Sequence, residues 1–281
     1  MEHHDHGLAQ DIEAMLNMTA SRRQSLRWLF AGAAALPMAG CGGGDAAATT
    51  GGGTVSATPA PGSATAACTV IPTETGGPYP GDGTNNGVNG VANALILSGI
   101  VRSDIRSSFA GASGVAAGIA LTIKLQLVNV YASCASLAGA AVYIWHCDRD
   151  GQYSMYSSPV AGENYLRGVQ EADANGVVTF TTIFPGCYAG RMPHVHFEVF
   201  PTLAGSTSAA NRIKTSQFGF PTATLAEAYT ASGYATSVRN LAGISYATDN
   251  VFSDGTSLQV AGITGNPTAG YAATLTVGVS A

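Results

Sequence analysis

The stretch LTIKLQLVNV, residues 121–130, is the clearest strand signal in the chain. Leu121, Ile123, Leu125 and Leu127 fall on one side, with Thr122, Lys124 and Gln126 on the other. Period two places alternate side chains on opposite faces, so one face is buried and the other meets water. AATLTVGV at 272–279 repeats the device with Ala273, Leu275, Val277 and Val279. Outward from these, LILSGIVRS from Leu95, AAVYIWHC from Ala140, VVTFTTIF from Val177 and HVHFEVF from His194 are also rich in Val, Ile, Thr and aromatic residues. TATLAEAYTASG, 222–233, alone reads as a helix, and Gly- and Pro-bearing loops such as GDGTNNGVNG, 81–90, separate the rest. The expected fold class is all-β, an antiparallel β-sandwich with long loops and one short helix.

The beginning of the chain lacks this pattern. SRRQSLRWLFAGAAALPMAGC, 21–41, sets Arg22, Arg23 and Arg27 before an uncharged run over 28–40. As a helix that run rises about 20 Å, short of a ~30 Å bilayer core. Residues 1–41 therefore read as an export signal, with the paired arginines pointing to the twin-arginine route. LPMAGC resembles a lipobox in which Cys41 would carry a lipid anchor; a plain signal peptide cut near Ala39 is the alternative. Residues 42–67 hold Gly, Ala, Ser, Thr and Pro with one charge, cannot bury a core, and read as a flexible linker. The folded domain is expected over 68–281, in an exported protein that is periplasmic or held at the cell surface.

The formal net charge is −5, and removing the leader leaves nine basic and thirteen acidic residues. That balance offers no basic patch and argues against a nucleic-acid partner. Four cysteines follow the leader: Cys68, Cys134, Cys147 and Cys187. An even count in an exported protein favours disulfides, and the reading leans to Cys68 with Cys134 and Cys147 with Cys187. Spacing alone leaves all three pairings open, and it leaves open a homo-oligomer as well.

The chemistry gathers in FPGCYAGRMPHVHFEVF, 184–200. On a strand, His194 and His196 project from one face while Val195 points to the other, so two imidazoles can meet one ion. A lone His-x-His is more often a pair of partly exposed histidines, but Tyr188 lies just upstream and Tyr153 follows the turn DRDG. Two phenols with two imidazoles suit a hard, highly charged ion such as Fe(III), whereas zinc is seldom given tyrosine. Arg191 is placed either to stabilise negative charge near that ion or to pair with a carboxylate such as Glu198. His146, Trp145 and Tyr143 read as packed residues, and Asp148 and Asp150 as turn formers.

PTETGGPYP, GAAVYIWHCDRDGQYS, YLRGVQEADANGVVTFTTIFPGCYAGRMPHVHFEV and TSQFGF occur in the order seen in intradiol ring-cleavage dioxygenases, the family of protocatechuate and catechol 1,2-dioxygenases. The resemblance runs from about Thr69 to Phe220 and is closest to the exported branch. It implies a non-haem Fe(III) cofactor held by Tyr153, Tyr188, His194 and His196. It further implies that Tyr188 leaves the metal and accepts a proton when substrate arrives. Arg191 would lie beside the ring under attack, with Gln217 and Tyr79 lining the pocket. The implied enzyme is an oxidoreductase of aromatic catabolism, cleaving a catechol between its hydroxyl-bearing carbons. Both atoms of O2 would enter a cis,cis-muconate-type product. The alternative is a non-catalytic, transthyretin-like binding module or metal carrier at the cell surface.

Overall fold

A computed structural model describes residues 68–281. The export signal, Cys41 and the linker lie outside the described residues. Eleven strands can be followed in chain order: β1 Asp82–Gly87, β2 Gly90–Asn93, β3 Ala120–Asn129, β4 Ala135–Ser136, β5 Ala141–Trp145, β6 Arg167–Glu171, β7 Val177–Ile183, β8 His194–Phe200, β9 Lys214–Gly219, β10 Gly262–Asn266 and β11 Gly270–Val279. One sheet runs β10-β11-β3-β4 with β7 also on β3, and the second runs β6-β5-β8-β9. The two face each other as a sandwich. Leu121, Ile123, Leu125 and Leu127 of β3 and Phe180 of β7 meet Val142 and Ile144 of β5 and Val195, Phe197 and Val199 of β8 in one apolar core. Burying each such side chain contributes about 1.5–3 kcal/mol, which is why the alternating pattern decides the fold.

β11 pairs with β3 in parallel, from Tyr271 opposite Leu121 to Val279 opposite Asn129, while the other ladders are antiparallel. Parallel neighbours need a long crossover. Here the whole second sheet intervenes between them in sequence.

Several elements differ from the sequence reading. Residues 95–103 form turns rather than a strand, with Leu97 N–H donating to Ala94 O and Ile100 N–H to Leu97 O. Gly99 takes φ +95, and only isolated bridges follow at Val101 and Asp104. Residues 81–90, expected as a loop, build most of the β1–β2 hairpin. Its Asn- and Gly-rich strands carry no apolar alternation to betray it. The helix expected over 222–233 is shorter, α1 Thr222–Ala228, and a second short helix, α2 Ala235–Leu241, follows beyond that stretch. Gly233 at φ +93 breaks them apart, and Tyr234 stacks on Tyr229 at the break.

Cys68 and Cys134 form a disulfide with Cα atoms 5.5 Å apart. Cys147 and Cys187 do not pair; both are buried free thiols. Cys147 belongs to the cluster outside the second sheet and Cys187 to the core between the sheets. Each thiol is turned to a backbone carbonyl, Gly186 O for Cys147 and Arg191 O for Cys187.

Candidate metal centre

The second sheet is buried on both faces. With Val195, Phe197 and Val199 committed to the core, His194, His196 and Glu198 project to the outer face. Across the sheet His196 is opposite Trp145 of β5 and Gln217 of β9, so these three side chains form a row on that face. His196 stacks on Trp145, and Gly77 of the GGPYP segment packs against its Cε1–Nε2 edge. Gly77 has φ +68, and a Cβ there would lie 3.2 Å from His196 Cε1. Glycine is required at that point both for the backbone and for the approach.

Two loops bring the tyrosines in. After β5, Asp148 Oδ1 accepts from the N–H groups of Asp150 and Gln152, and Gly151 at φ +83 completes the turn. Tyr153 follows, fully buried. The Pro185-Gly186 turn lies against this loop so closely that a Cβ on Gly186 would meet the carbonyl oxygens of Arg149 and Asp148 at 2.5 and 2.6 Å. Ser237 of α2 accepts from Cys187 N–H and Asn240 donates to Cys187 O, pinning the residue before Tyr188. The Asp148 carboxylate thus serves the turn, while Asp150 enters it through its backbone N–H and turns its carboxylate toward Arg149 at 3.8 Å.

The four side chains converge. His194 Nε2 lies 3.0 Å from His196 Nε2 and 3.4 Å from Tyr188 Oη. Tyr153 lies edge-on to Tyr188, ring centroids 5.8 Å apart, and its buried hydroxyl has no hydrogen-bond partner of ordinary geometry. Met192 O, an acceptor only, is 2.6 Å from His194 Nδ1, so that nitrogen carries the proton and Nε2 presents a lone pair. Burial, reinforced by Arg191, lowers His194 to about 3. Burial and then His194 and Arg191 hold His196 well below the usual range. Both imidazoles therefore stay neutral and able to donate to a metal. Burial pushes Tyr188 up to about 12 against the pull of Arg191, and burial followed by Tyr188 pushes Tyr153 well above the usual phenol range.

Two buried phenols that resist ionisation, facing two neutral imidazoles, fit a strongly charged cation that converts phenol to phenolate. Among the described residues no group of three or more His, Cys, Asp or Glu is arranged to hold a metal. The phenols are what make this donor set, and it fits ferric iron better than zinc.

Arg191 is buried beside the four donors. Its Nε donates to both carboxylate oxygens of Asp249, at 3.2 and 3.0 Å, and its Nη2 donates to Gln217 Oε1 at 2.7 Å. Glu198, the carboxylate expected as its alternative partner, instead faces Arg212 at 3.5 Å. The reason is strand position: Glu198 shares the outer face with His194 and His196 but lies four residues further along β8 than His194, opposite Tyr143, where Arg212 reaches it. Burial and then Asp82 push the Glu198 carboxyl up to about 8. Gln217 is fully buried between Arg191 and Thr75, to whose carbonyl its Nε2 donates, so both ends of its amide are engaged within the protein. Tyr79 packs against Tyr153, centroids 4.7 Å apart and planes tilted by 32°. His146 is a packed residue, its ring nitrogens bonded to Cys147 O and Thr182 Oγ1.

Asp249 escaped the sequence reading, and nothing in its surroundings, SYATDNVF, marks it. Burial raises its carboxyl, but Arg191 and the Met192 N–H outweigh that and hold it below the usual range. Gly77 lies inside the GGPYP motif, but nothing in that motif marks its contact with His196.

The family model described as Dioxygenase matches residues 105–200. An intradiol ring-cleavage dioxygenase from Tetranychus urticae superposes with a TM-score of 0.58 at 26% identity, covering 75% of this chain and 95% of that one. The dioxygenase domain of a dioxygenase carbohydrate-binding protein fusion from Streptomyces sp. SirexAA-E gives a TM-score of 0.45 at 21% identity, covering 75% and 98%. Fold and site define an all-β sandwich with a His-and-Tyr cage. The chain is similar to the intradiol ring-cleavage dioxygenases, the family its motifs resemble.

Proposed function

We propose that the protein is an intradiol dioxygenase that cleaves a catechol-type ring between its two hydroxyl-bearing carbons with O2. The observation that carries this reading is the convergence of donors at one point: His194 Nε2 lies 3.4 Å from Tyr188 Oη and 3.0 Å from His196 Nε2, beside the buried Tyr153 hydroxyl. Ferric iron held by these four donors would supply Lewis acidity to the diol oxygens and make the electron-rich ring reactive to O2.

The chain's own residues have separable tasks. Tyr153, fully buried and packed against Tyr79, is the fixed phenolic donor. Tyr188 is less enclosed, and as a phenolate whose conjugate acid is weak it is suited to take a proton from the incoming diol. His194 and His196 remain neutral donors. Arg191 brings a guanidinium to negative charge developing on the ring and its oxygens. Trp145, 0% exposed beneath His196, keeps water from that side. The product is a cis,cis-muconate-type diacid that carries both oxygen atoms.

The test is reconstitution of the full chain with ferric iron, followed by visible spectroscopy and oxygen uptake on a panel of diols. A tyrosinate-to-iron band that shifts with catechol and one O2 consumed per ring are expected. Protein that stays colourless after iron loading would refute the reading. Export by way of Arg22 and Arg23, with a lipid anchor on Cys41, is part of the proposal, and compartment fractionation tests it.

A further inference from the structure

Arg191 has five N–H donors in one plane, and the structure commits two of its three nitrogens. Asp249, 58 residues further along the chain, takes the Nε edge, and Gln217 takes Nη2. Nη1 is buried with no hydrogen-bond partner, in a residue only 2% exposed. A buried donor left without an acceptor costs about 1–3 kcal/mol, so an arrangement that leaves it so reserves it for something absent. Asp249 does more than hold the guanidinium. Its Oδ2 accepts from Met192 N–H at 2.7 Å, and Met192 O in turn receives His194 Nδ1 at 2.6 Å. Asp249 is itself held by the N–H groups of Val251 and Phe252, and the Phe252 ring lies 5.9 Å from the Arg191 guanidinium carbon.

We propose that Asp249 is a positioning residue, clamping Arg191 so that Nη1 alone is presented to the substrate and bracing the Met192 peptide that orients His194. This deepens the ring-cleavage reading and rests on it. It also makes the segment around 245–252, beyond the recognisable motifs, part of the site. Because the Arg191–Asp249 pair is neutral as a whole, the clamp supplies direction rather than net charge. Negative charge that develops late meets a fixed N–H that needs no reorganisation, an effect felt in the chemical step more than in binding.

The experiment is Asp249→Asn in the iron-loaded full chain, with the iron-free chain studied in parallel. Asparagine keeps an acceptor for the backbone N–H groups but loses the charge and one acceptor oxygen. The expected result is a fall in kcat of about 10- to 100-fold with KM not raised. In the iron-free protein, NMR should show the Arg191 Nε–H of the wild type slow to exchange and that of D249N fast. A wild-type kcat in D249N, or a loss confined to KM, overturns the proposal. Should D249N not fold, the wild-type NMR measurement decides, and rapid Nε–H exchange there overturns it. If the wild-type protein cleaves no diol, the ring-cleavage reading falls, while the NMR measurement still judges the clamp.

Discussion

His196 lies flat against Trp145, ring centroids 4.9 Å apart and planes 2° from parallel. The two are direct cross-strand partners on β8 and β5, so the sheet register itself sets the imidazole plane. Gly77 packs against the Cε1–Nε2 edge of the same imidazole. A side chain at Gly77 has nowhere to go without moving His196. Gly77→Ala is expected to lower iron occupancy at limiting metal by about tenfold, in the range seen when a ligand's orientation is disturbed. The strained φ should cost a further ~1–2 kcal/mol. Iron per chain by elemental analysis, with a urea melt alongside, measures both. Full occupancy in the variant would show that His196 is not held from this side.

The two tyrosines should differ in kind. Tyr153 is fixed against Tyr79, whereas Tyr188 sits in a loop and is partly exposed. Tyr188→Phe should keep iron, shift the visible band and lower kcat by about 10²-fold or more through loss of a proton acceptor. Tyr153→Phe should chiefly weaken iron retention. Equal effects of the two changes would contradict the division of roles.

Arg167 is buried and donates to Ser154 Oγ, Ser154 O, Pro80 O, Tyr79 O and Tyr143 Oη. It thereby ties the segment carrying Tyr79 to the loop carrying Tyr153. Arg167→Met strips several buried acceptors of their donor and should destabilise the domain by about 3–5 kcal/mol. Arg167→Lys should recover little, because one ammonium cannot span that fork. Urea unfolding provides the measure, and a loss below ~1 kcal/mol in the Met variant would contradict the pinning role.

Burial lowers His146 to about 4, while the Cys147 carbonyl works weakly the other way. Its folded pKa lies below the ordinary value near 6.5, so the unfolded chain binds the proton more readily. Stability is complete above pH ~6.5 and falls as pH drops from there toward about 4. In iron-free protein His194 and His196 add to the same slope. His146→Gln should flatten the decline without abolishing it, as urea midpoints at pH 7 and 4.5 would reveal; an unchanged slope would count against burial as the cause.

The Cys68–Cys134 bridge closes a span of 66 residues across one sheet. Loop-closure entropy on that scale corresponds to roughly 4 kcal/mol. Cys134→Ser should therefore lower the denaturant midpoint markedly, while Cys147→Ser and Cys187→Ser, which break no bridge, should not reproduce that effect under oxidising against reducing conditions.

Much was legible in the residues. The alternation of β3 and β11, the apolar runs of β5 and β7, and the His-x-His spacing on β8 are local patterns, and each appears where its period placed it. Tyr188, six residues before His194, and Tyr153, after the DRDG turn, stood out as candidate oxygen donors from their residues. The family resemblance added that the four form one ligand set, because no spacing rule brings 153 beside 188. Residues 95–103 misled because apolar content was read as a strand where Gly99 and successive turns bend the chain. The hairpin at 82–93 was missed for the opposite reason, having almost no apolar residues to alternate.

The amino-acid sequence alone determined that the alternating and apolar runs of β3, β5, β7, β8 and β11 extend, which face of β3 and β11 is buried, and that two imidazoles leave one strand together. Those properties follow from bond geometry between near neighbours. Only the tertiary structure decided that β11 lies parallel to β3, that Cys147 and Cys187 point into different clusters, and that Asp249 rather than Glu198 holds Arg191. Such choices depend on which distant surfaces meet when the core closes. A side chain bears no local mark of a partner 58 residues away.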